Sequence, residues 1–381
     1  MSTWTLHCSS CEYTAPGDRL ASLCPNCSQP LVVRLTSAPP KRDALKSSWS
    51  LWRYADAMPL AEGEKPVTLG EGLTPMLDVP ALAKSVGVRR LWVKDEGVNP
   101  TASFKARGMA AAVTRAKALG VKGLVVPTAG NAGAALAAYG AAAQLPVRIW
   151  APATTPAPIL SIIRAMGTDL VLVDGHIGDA GKAAMQFAKD EGWFNIATVR
   201  EPYRVEGMKT MGFEVAEQLG WRLPDAIVYP TGGGEGTIGI WKAIDEMIGW
   251  GWLPVGTRRP KMIIAQAAGC APLTRAFAAG LDRATPWEDP VTYAAGLRVP
   301  GPLGDRLVLR TLRQSDGAAA TATEEEMRAA TAELAAASGI DAAPEGGCAL
   351  HVTRALVKTG VIAPDAEVVV FNTGSGASYR W

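Results

Sequence analysis

Lys105 stands in the run NPTASFKARG at 99–108, and its position in the chain is the first thing to explain. The preceding residues 90–96, RLWVKDE, centre on the apolar Leu91, Trp92 and Val93 and read as a strand. The following MAAAVTRAKALG is alanine-rich and reads as a helix. Pro100 pushes Asn99 out of helical dihedrals, and Thr101 or Ser103 can cap the helix that follows. Lys105 therefore falls in the first helical turn, where the dipole disfavours a cation. A surface helix gains nothing from a lysine there. A site that needs an uncharged, nucleophilic amine does.

A second set of reactive residues sits at the front. Cys8, Cys11, Cys24 and Cys27 give C-x2-C-x12-C-x2-C, a spacing that can set four thiolates around a tetrahedral Zn²⁺. The segment is too short for a core of its own, so the metal would supply its folding energy. Its role would be structural, since four protein ligands leave no open position. Two disulfides or a redox pair compete with this reading. A reducing cytoplasm disfavours the first, and the second leaves one pair idle. Cys270 and Cys348 receive no role. The three histidines (His7, His176, His351) are far apart in sequence, which argues against a His-based triad or a multi-His metal site.

These residues need elements to position them. Strands are expected at 90–95, 123–127, 147–151, 169–173, 194–197, 225–230, 261–266 and 366–371. Helical patterns lie between them at about 103–119, 131–143, 157–166, 177–192, 207–220, 236–249, 271–280, 324–338 and 346–359. Alternation of this kind predicts parallel sheets covered by helices. Ligands then bind beyond the carboxyl ends of the strands. Residues 281–318 read as irregular. Four loops stand at strand ends: NPTASFKARG, PTAGNAG at 127–133, PTGGGEGTIG at 230–239 and NTGSGAS at 372–378.

The third loop is an anion cradle on physical grounds. Its glycines at 232, 233, 234 and 236 let N–H groups turn inward at the positive end of the next helix. A dinucleotide fingerprint also matches, Gly234-x-Gly236-x-x-Gly239. But the acid it requires at the end of the next strand is replaced by Gln266. A P-loop would need Gly-Lys-Ser/Thr, which is absent. An organic phosphate without a nucleotide fits better. Together the loops offer an amine, a phosphate cradle, an amide (Asn131) and a hydroxyl (Thr373), the groups that pyridoxal phosphate needs.

Composition bounds the rest. The 381 residues suggest two domains, with 48% hydrophobic and 19% charged residues and a net charge of +2. No charge run argues for nucleic acid or membrane. No apolar run approaches a bilayer span, and MSTWTLHCSS is no signal peptide. A cytoplasmic protein with a small-molecule substrate is expected.

At this point the chain resembles threonine synthase and its relatives in the tryptophan-synthase-β group of pyridoxal-phosphate enzymes (fold type II). The matching runs are LHCSSC…CPNC, LGEGLTPM, VKDEGVNPTASFKARG, TAGNAG, EPYRVEGMKT, YPTGGGEGTIG, PEGG and NTGSG. They follow the family's order along nearly the whole chain. The resemblance implies a zinc-ribbon-like segment at 1–38, an α/β half with the cofactor lysine at 39–205, and an α/β half with the phosphate loop at 206–381. It implies that Lys105 links covalently to the cofactor and shuttles protons, and that Asn131 bonds the ring hydroxyl. Gly232, Gly233, Gly234, Glu235, Gly236 and Thr237 would hold the phosphate, and Thr373 would face the pyridine nitrogen. The substrate carboxylate would sit on the N–H groups of Thr128, Ala129, Gly130 and Asn131, with Ser103 and Arg204 also on the substrate. A homodimer follows by the same analogy.

The implied reaction converts O-phosphohomoserine and water to threonine and phosphate. The chain departs from the family around the leaving group. Ala106 replaces an Asp, Ala132 and Gly133 stand where a hydroxyl is common, and Glu201 precedes Pro202. A carboxylate beside a phosphate dianion repels it, and Arg200, Arg204 and Lys209 are the cations that could offset it. The alternatives are a β-eliminating ammonia-lyase acting on serine, threonine or hydroxyaspartate, and a nicotinamide-dependent oxidoreductase using the glycine loop.

Overall fold

The computed structural model describes residues 3–380, which form two compact units. The first comprises the chain up to Leu73, Asn99–Thr101 and Lys105–Thr210. The second comprises Thr74–Val98, Ala102–Phe104 and the chain from Met211 onward.

The first unit holds two sheets. The N-terminal ribbon is antiparallel, in the order Thr14–Pro16, Trp4–Cys8, Leu31–Leu35. Its central strand alternates strictly, with Trp4, Leu6 and Cys8 buried and Thr5 and His7 half-buried on the other face, as a strand covered on one side should. The second sheet is parallel, in the order Asp169–Val173, Val147–Pro152, Leu124–Pro127, Phe194–Asn195. Helix Lys105–Ala118 is buried continuously from Ala106 to Ala116. A helix covered on every side carries no polar stripe, which explains its run of alanines. Gly108 and Gly207 let this helix and helix Tyr203–Gln218 meet backbone to backbone. A Cβ on Gly207 would lie 2.0 Å from the Arg107 carbonyl oxygen.

The second unit has a six-stranded sheet in the order Ala318–Ala322, Lys261–Ala267, Ala226–Pro230, Glu367–Asn372, Arg90–Asp95, Met76–Asp78. All neighbours are parallel except the last pair. The central strands Ala226–Pro230 and Glu367–Asn372 are buried at every residue, as strands with both faces covered must be.

Each expected strand and helix forms, with ends shifted by a few residues. The domain boundaries differ. Strand Arg90–Asp95, expected in the half 39–205, pairs with Glu367–Asn372 and belongs to the second unit. So do residues 102–104, and the second unit resumes at Met211 rather than 206. The region 281–318, read as irregular, contains helix Asp305–Gln314, which buries Val308, Leu309 and Leu312 on one stripe.

Candidate active site

Two consecutive non-glycine residues ahead of Lys105 adopt the left-handed region, Thr101 at φ 58° and Ala102 at φ 56°. Each costs roughly 1–3 kcal/mol, and such strain persists where the surroundings over-determine it. The restraint is visible. Ala102–Phe104 lies antiparallel to Thr373–Ser375: the Phe104 N–H donates to Thr373 O at 3.1 Å, and the Ser375 N–H to Ala102 O at 3.0 Å. On the other side Asn99 Oδ1 accepts from the Gly72 N–H at 3.0 Å. The chain entering Lys105 is thus tied to the NTGSG and LGEG loops. The expected caps do not form. Thr101 Oγ1 donates to Pro100 O at 2.6 Å, and the buried Ser103 Oγ has no partner among the described residues. Lys105 itself opens the helix and is half-buried.

The loop 127–133 is organised by Thr128. Its N–H donates to Trp150 O at 2.9 Å, and its Oγ1 accepts from the N–H groups of Gly130 at 3.0 Å and Gly133 at 3.1 Å. Of the four N–H groups expected to receive an anion, those of Thr128 and Gly130 are therefore committed within the loop. Those of Ala129 and Asn131 have no acceptor among the described residues. Asn131 is the first residue of helix Asn131–Ala143, and its side chain makes no capping bond.

The glycine loop has no room for side chains. A Cβ would lie 2.2 Å from Gly296 O at Gly232, 2.4 Å from Val308 Cγ2 at Gly234 and 2.2 Å from Tyr229 Oη at Gly236. Gly234 is left-handed, with φ 89°, and the buried Glu235 opens the next helix. The N–H groups of Gly233, Gly234, Gly236 and Thr237 have no acceptor among the described residues. Thr231, which the sequence reading passed over, shares a hydrogen bond of 2.9 Å with Thr237 through their hydroxyls. Gln266, found where a dinucleotide fold needs an acid, donates instead to Thr231 O at 3.0 Å and braces the loop. Thr373 is buried, and its hydroxyl makes no hydrogen bond among the described residues.

The charges around residue 200 sort differently from expectation. Glu201 is 1% exposed, and its carboxylate accepts from the N–H groups of Tyr203 at 2.7 Å and Arg204 at 3.0 Å. It caps helix Tyr203–Gln218 and neutralises the orphan donors there, so its charge is directed at its own helix. Arg204, expected on the substrate, is wholly buried and donates through Nη1 to Ile196 O at 3.0 Å; we remove it from the site. Lys209 is buried in an ion pair with Glu206 at 2.6 Å. Arg200 is left. Its guanidinium is half-buried and faces no carboxylate among the described residues. Burial lowers its pKa. Strand Phe194–Asn195 pairs with Leu124–Pro127, so the turn bearing Arg200 leaves the same sheet edge as the loop 127–133.

The four N-terminal cysteines converge, with sulfurs all within 4.8 Å of one another. The pairs Cys8–Cys27, Cys11–Cys24 and Cys11–Cys27 stand 3.4, 3.6 and 3.6 Å apart. A disulfide would require about 2.05 Å, so these are thiols. Burial opposes the Cys8 thiolate, but the Ser10 and Cys11 N–H donors and the neighbouring thiols outweigh it and bring its pKa to about 7.

Comparison with known proteins agrees with this geometry. The family described as pyridoxal-phosphate dependent enzyme matches residues 67–374. The chain belongs to this family. A threonine synthase of Methanosarcina acetivorans is 35% identical over 374 residues, which cover 97% of this chain and 91% of that protein. A threonine synthase of Methanocaldococcus jannaschii is 34% identical, covering 87% of this chain and 81% of its own. Among solved structures, maize serine racemase superposes with a TM-score of 0.69 at 20% identity, covering 80% of this chain and 88% of that one. A fungal L-serine ammonia-lyase from Rhizomucor miehei gives 0.68 at 20% identity, covering 83% and 99%. Likeness at that identity establishes the fold, that of the tryptophan-synthase-β group.

The protein is thus a threonine-synthase-like, pyridoxal-phosphate-dependent lyase, and the nicotinamide reading falls. Its residues fit the cofactor. The glycine cradle excludes side chains and leaves N–H groups without acceptors. The Ser103 Oγ is buried and unsatisfied, a costly state unless a ligand completes it. Among the described residues no helix is long and apolar enough to cross a membrane.

Proposed function

We propose that the enzyme is a threonine synthase, releasing phosphate from O-phosphohomoserine and adding water to give L-threonine. The observation that carries this reading is the 35% identity running through 97% of the chain. The bound cofactor supplies an electron sink that acidifies the substrate's α- and β-carbons. Lys105 would hold the cofactor covalently, and its amine would be the group that carries protons. Asn131 bonds the ring hydroxyl. Gly232–Gly236 and Thr237 hold the cofactor phosphate through N–H groups that lack other acceptors. Thr373 would face the ring nitrogen, and a neutral hydroxyl there would leave that nitrogen largely unprotonated, which would suit elimination and replacement better than transamination. Ala129 and Asn131 take the substrate carboxylate at a helix N-terminus, with Thr128 and Gly130 shaping the turn and Ser103 donating its free hydroxyl.

Arg200 takes the leaving phosphate. This is supported by the commitment of Arg204, Lys209 and Glu201 to other partners. The four cysteines hold structural zinc. Four sulfurs about 2.3 Å from one ion would stand roughly 3.8 Å apart, close to the separations found. A cytoplasmic homodimer follows from the family analogy.

The test is a phosphate-release assay on O-phosphohomoserine beside a keto-acid assay on serine, threonine and hydroxyaspartate. Equal amounts of phosphate and threonine are expected, with little keto acid. Keto acid without phosphate release would instead make the enzyme a β-eliminating ammonia-lyase. Arg200→Ala should raise KM for the phosphorylated substrate by about 10- to 100-fold, the worth of one charge-assisted hydrogen bond. An unchanged KM would remove Arg200 from the subsite.

A further inference from the structure

We propose that the metal-bound ribbon fixes the turn 199–204 from outside, and that Tyr203 is the positioning residue through which it does so. The proposal rests on the zinc and Arg200 assignments above, but its deciding readout, amide exchange, does not depend on the reaction.

Two hydrogen bonds join ribbon and turn, and Arg115 bridges them. Gly17 O accepts from the Tyr203 hydroxyl at 2.7 Å and from the Trp4 indole N–H at 3.1 Å. Ser22 Oγ donates to Arg200 O at 3.1 Å. The Arg115 guanidinium, paired with Glu64, lies 4.6 Å from the Trp4 ring and 5.6 Å from the Tyr203 ring. Arg115 belongs to the helix that begins at Lys105, so the ribbon is keyed to that helix as well.

The ribbon's contact points with the turn lie close to the cysteine cluster in the chain. Gly17 and Ser22 lie on the segment between Cys11 and Cys24. Trp4 opens the strand that ends at Cys8. The approach at Gly17 admits no side chain, since a Cβ there would lie 2.0 Å from Trp4 Nε1. The strands are also held by packing, since Trp4, Leu6, Leu31 and Val33 are buried in one core with the helix from Lys105, so loss of the metal frees chiefly the Cys11–Cys24 segment that carries Gly17 and Ser22.

The turn needs such support. Val199 is buried and left-handed at φ 58°, a genuine outlier for a β-branched residue. Inside the turn the restraints include the Arg200 N–H on Ala197 O, the Glu201 cap and the Arg204 guanidinium on Ile196 O, none of which bears on Val199 directly. Strained backbone persists where the surroundings over-determine it, and Ser22 and Gly17 are those surroundings. Releasing them lets Val199 relax and carries Arg200 with it. Metal occupancy is then read out as affinity for an anionic substrate.

The experiment is hydrogen–deuterium exchange on the holoenzyme in four forms: metal-loaded, metal-stripped under reducing conditions, Tyr203→Phe, and the Ser22→Ala/Tyr203→Phe double variant. Stripping should speed exchange of the Tyr203 and Arg204 amides about tenfold or more, a local opening of the kind exchange resolves, and leave Leu124–Pro127 unchanged. The loaded double variant should reproduce that increase, and stripping it should add less than about twofold. KM for the phosphorylated substrate should rise with kcat nearly constant. The proposal is overturned if stripping exposes Trp4–Cys8 while the 203–204 amides stay protected. It is equally overturned if the loaded double variant exchanges like the native protein, a result that decides the matter even where stripping unfolds the whole chain. Failure of the phosphate-release assay would leave these exchange results standing.

Discussion

Lys105→Ala should lower turnover by about 10,000-fold while leaving the fold intact. In the proposed function the amine has two jobs, anchoring the cofactor and carrying protons, and a positioned base alone contributes about 100- to 10,000-fold. The structural cost is small. Lys105 is the first residue of its helix, where a cation opposes the dipole and alanine is the best helix former. Thermal melting should therefore stay where it is as activity disappears. Lys105→Arg should not rescue, because a guanidinium neither deprotonates nor forms the covalent link. Retention of more than about 1% of native turnover by the alanine variant would be incompatible with a proton-transfer role of that size.

Gly232→Ala should weaken cofactor binding by roughly 10- to 100-fold, from an overpacking cost of about 1–3 kcal/mol placed within the phosphate cradle. The new methyl would lie 2.2 Å from Gly296 O and 2.9 Å from Val299 Cγ2. The oxygen cannot easily retreat, because the Gly296 N–H is itself held by Glu345 Oε1 at 2.8 Å. The loop must move instead, and its N–H groups would leave the place proposed for the phosphate. Gly178→Ala is the matched control. It lies inside helix Ile177–Glu191 with nothing within 4 Å of the added carbon, so it should bind cofactor normally and gain about 0.5–1 kcal/mol of stability. Equilibrium dialysis of the cofactor separates the two.

Much of the frame was legible because its strands are short runs of Val, Ile and Leu that end in glycine and threonine. Leu124–Pro127 and Glu367–Asn372 carry that signal plainly. Ala318–Ala322 does not. Alanine has little strand preference, and the segment becomes a strand only through its pairing with Ile263–Ala267. The partner of Arg90–Asp95 was hidden for a different reason: it lies at Glu367–Asn372, and no local pattern encodes a pairing so remote. Helix Asp305–Gln314 was obscured by the Pro- and Gly-rich residues just before it.

The site loops were legible as loops, but the use of each polar group was not. Glu201 as a residue type signals a negative charge near the leaving group. Only the N–H groups of Tyr203 and Arg204 show that the charge serves a helix end. Arg204 reads as a substrate cation until its burial and its bond to Ile196 O are seen. Thr231 carries little signal of its own because its hydroxyl acts through Thr237, although its place ahead of three glycines is a usable one. The cysteine spacing was the most explicit feature of all, since the ligand geometry of a knuckle is local.

The most direct test is borohydride treatment of the cofactor-saturated enzyme, followed by peptide mass mapping. The expected product is one cofactor fixed irreversibly on the peptide that contains Lys105, with loss of the yellow chromophore. A protein that stays colourless and takes up no label, or that carries it on a different lysine, would contradict the assignment of that amine and the chemistry built on it.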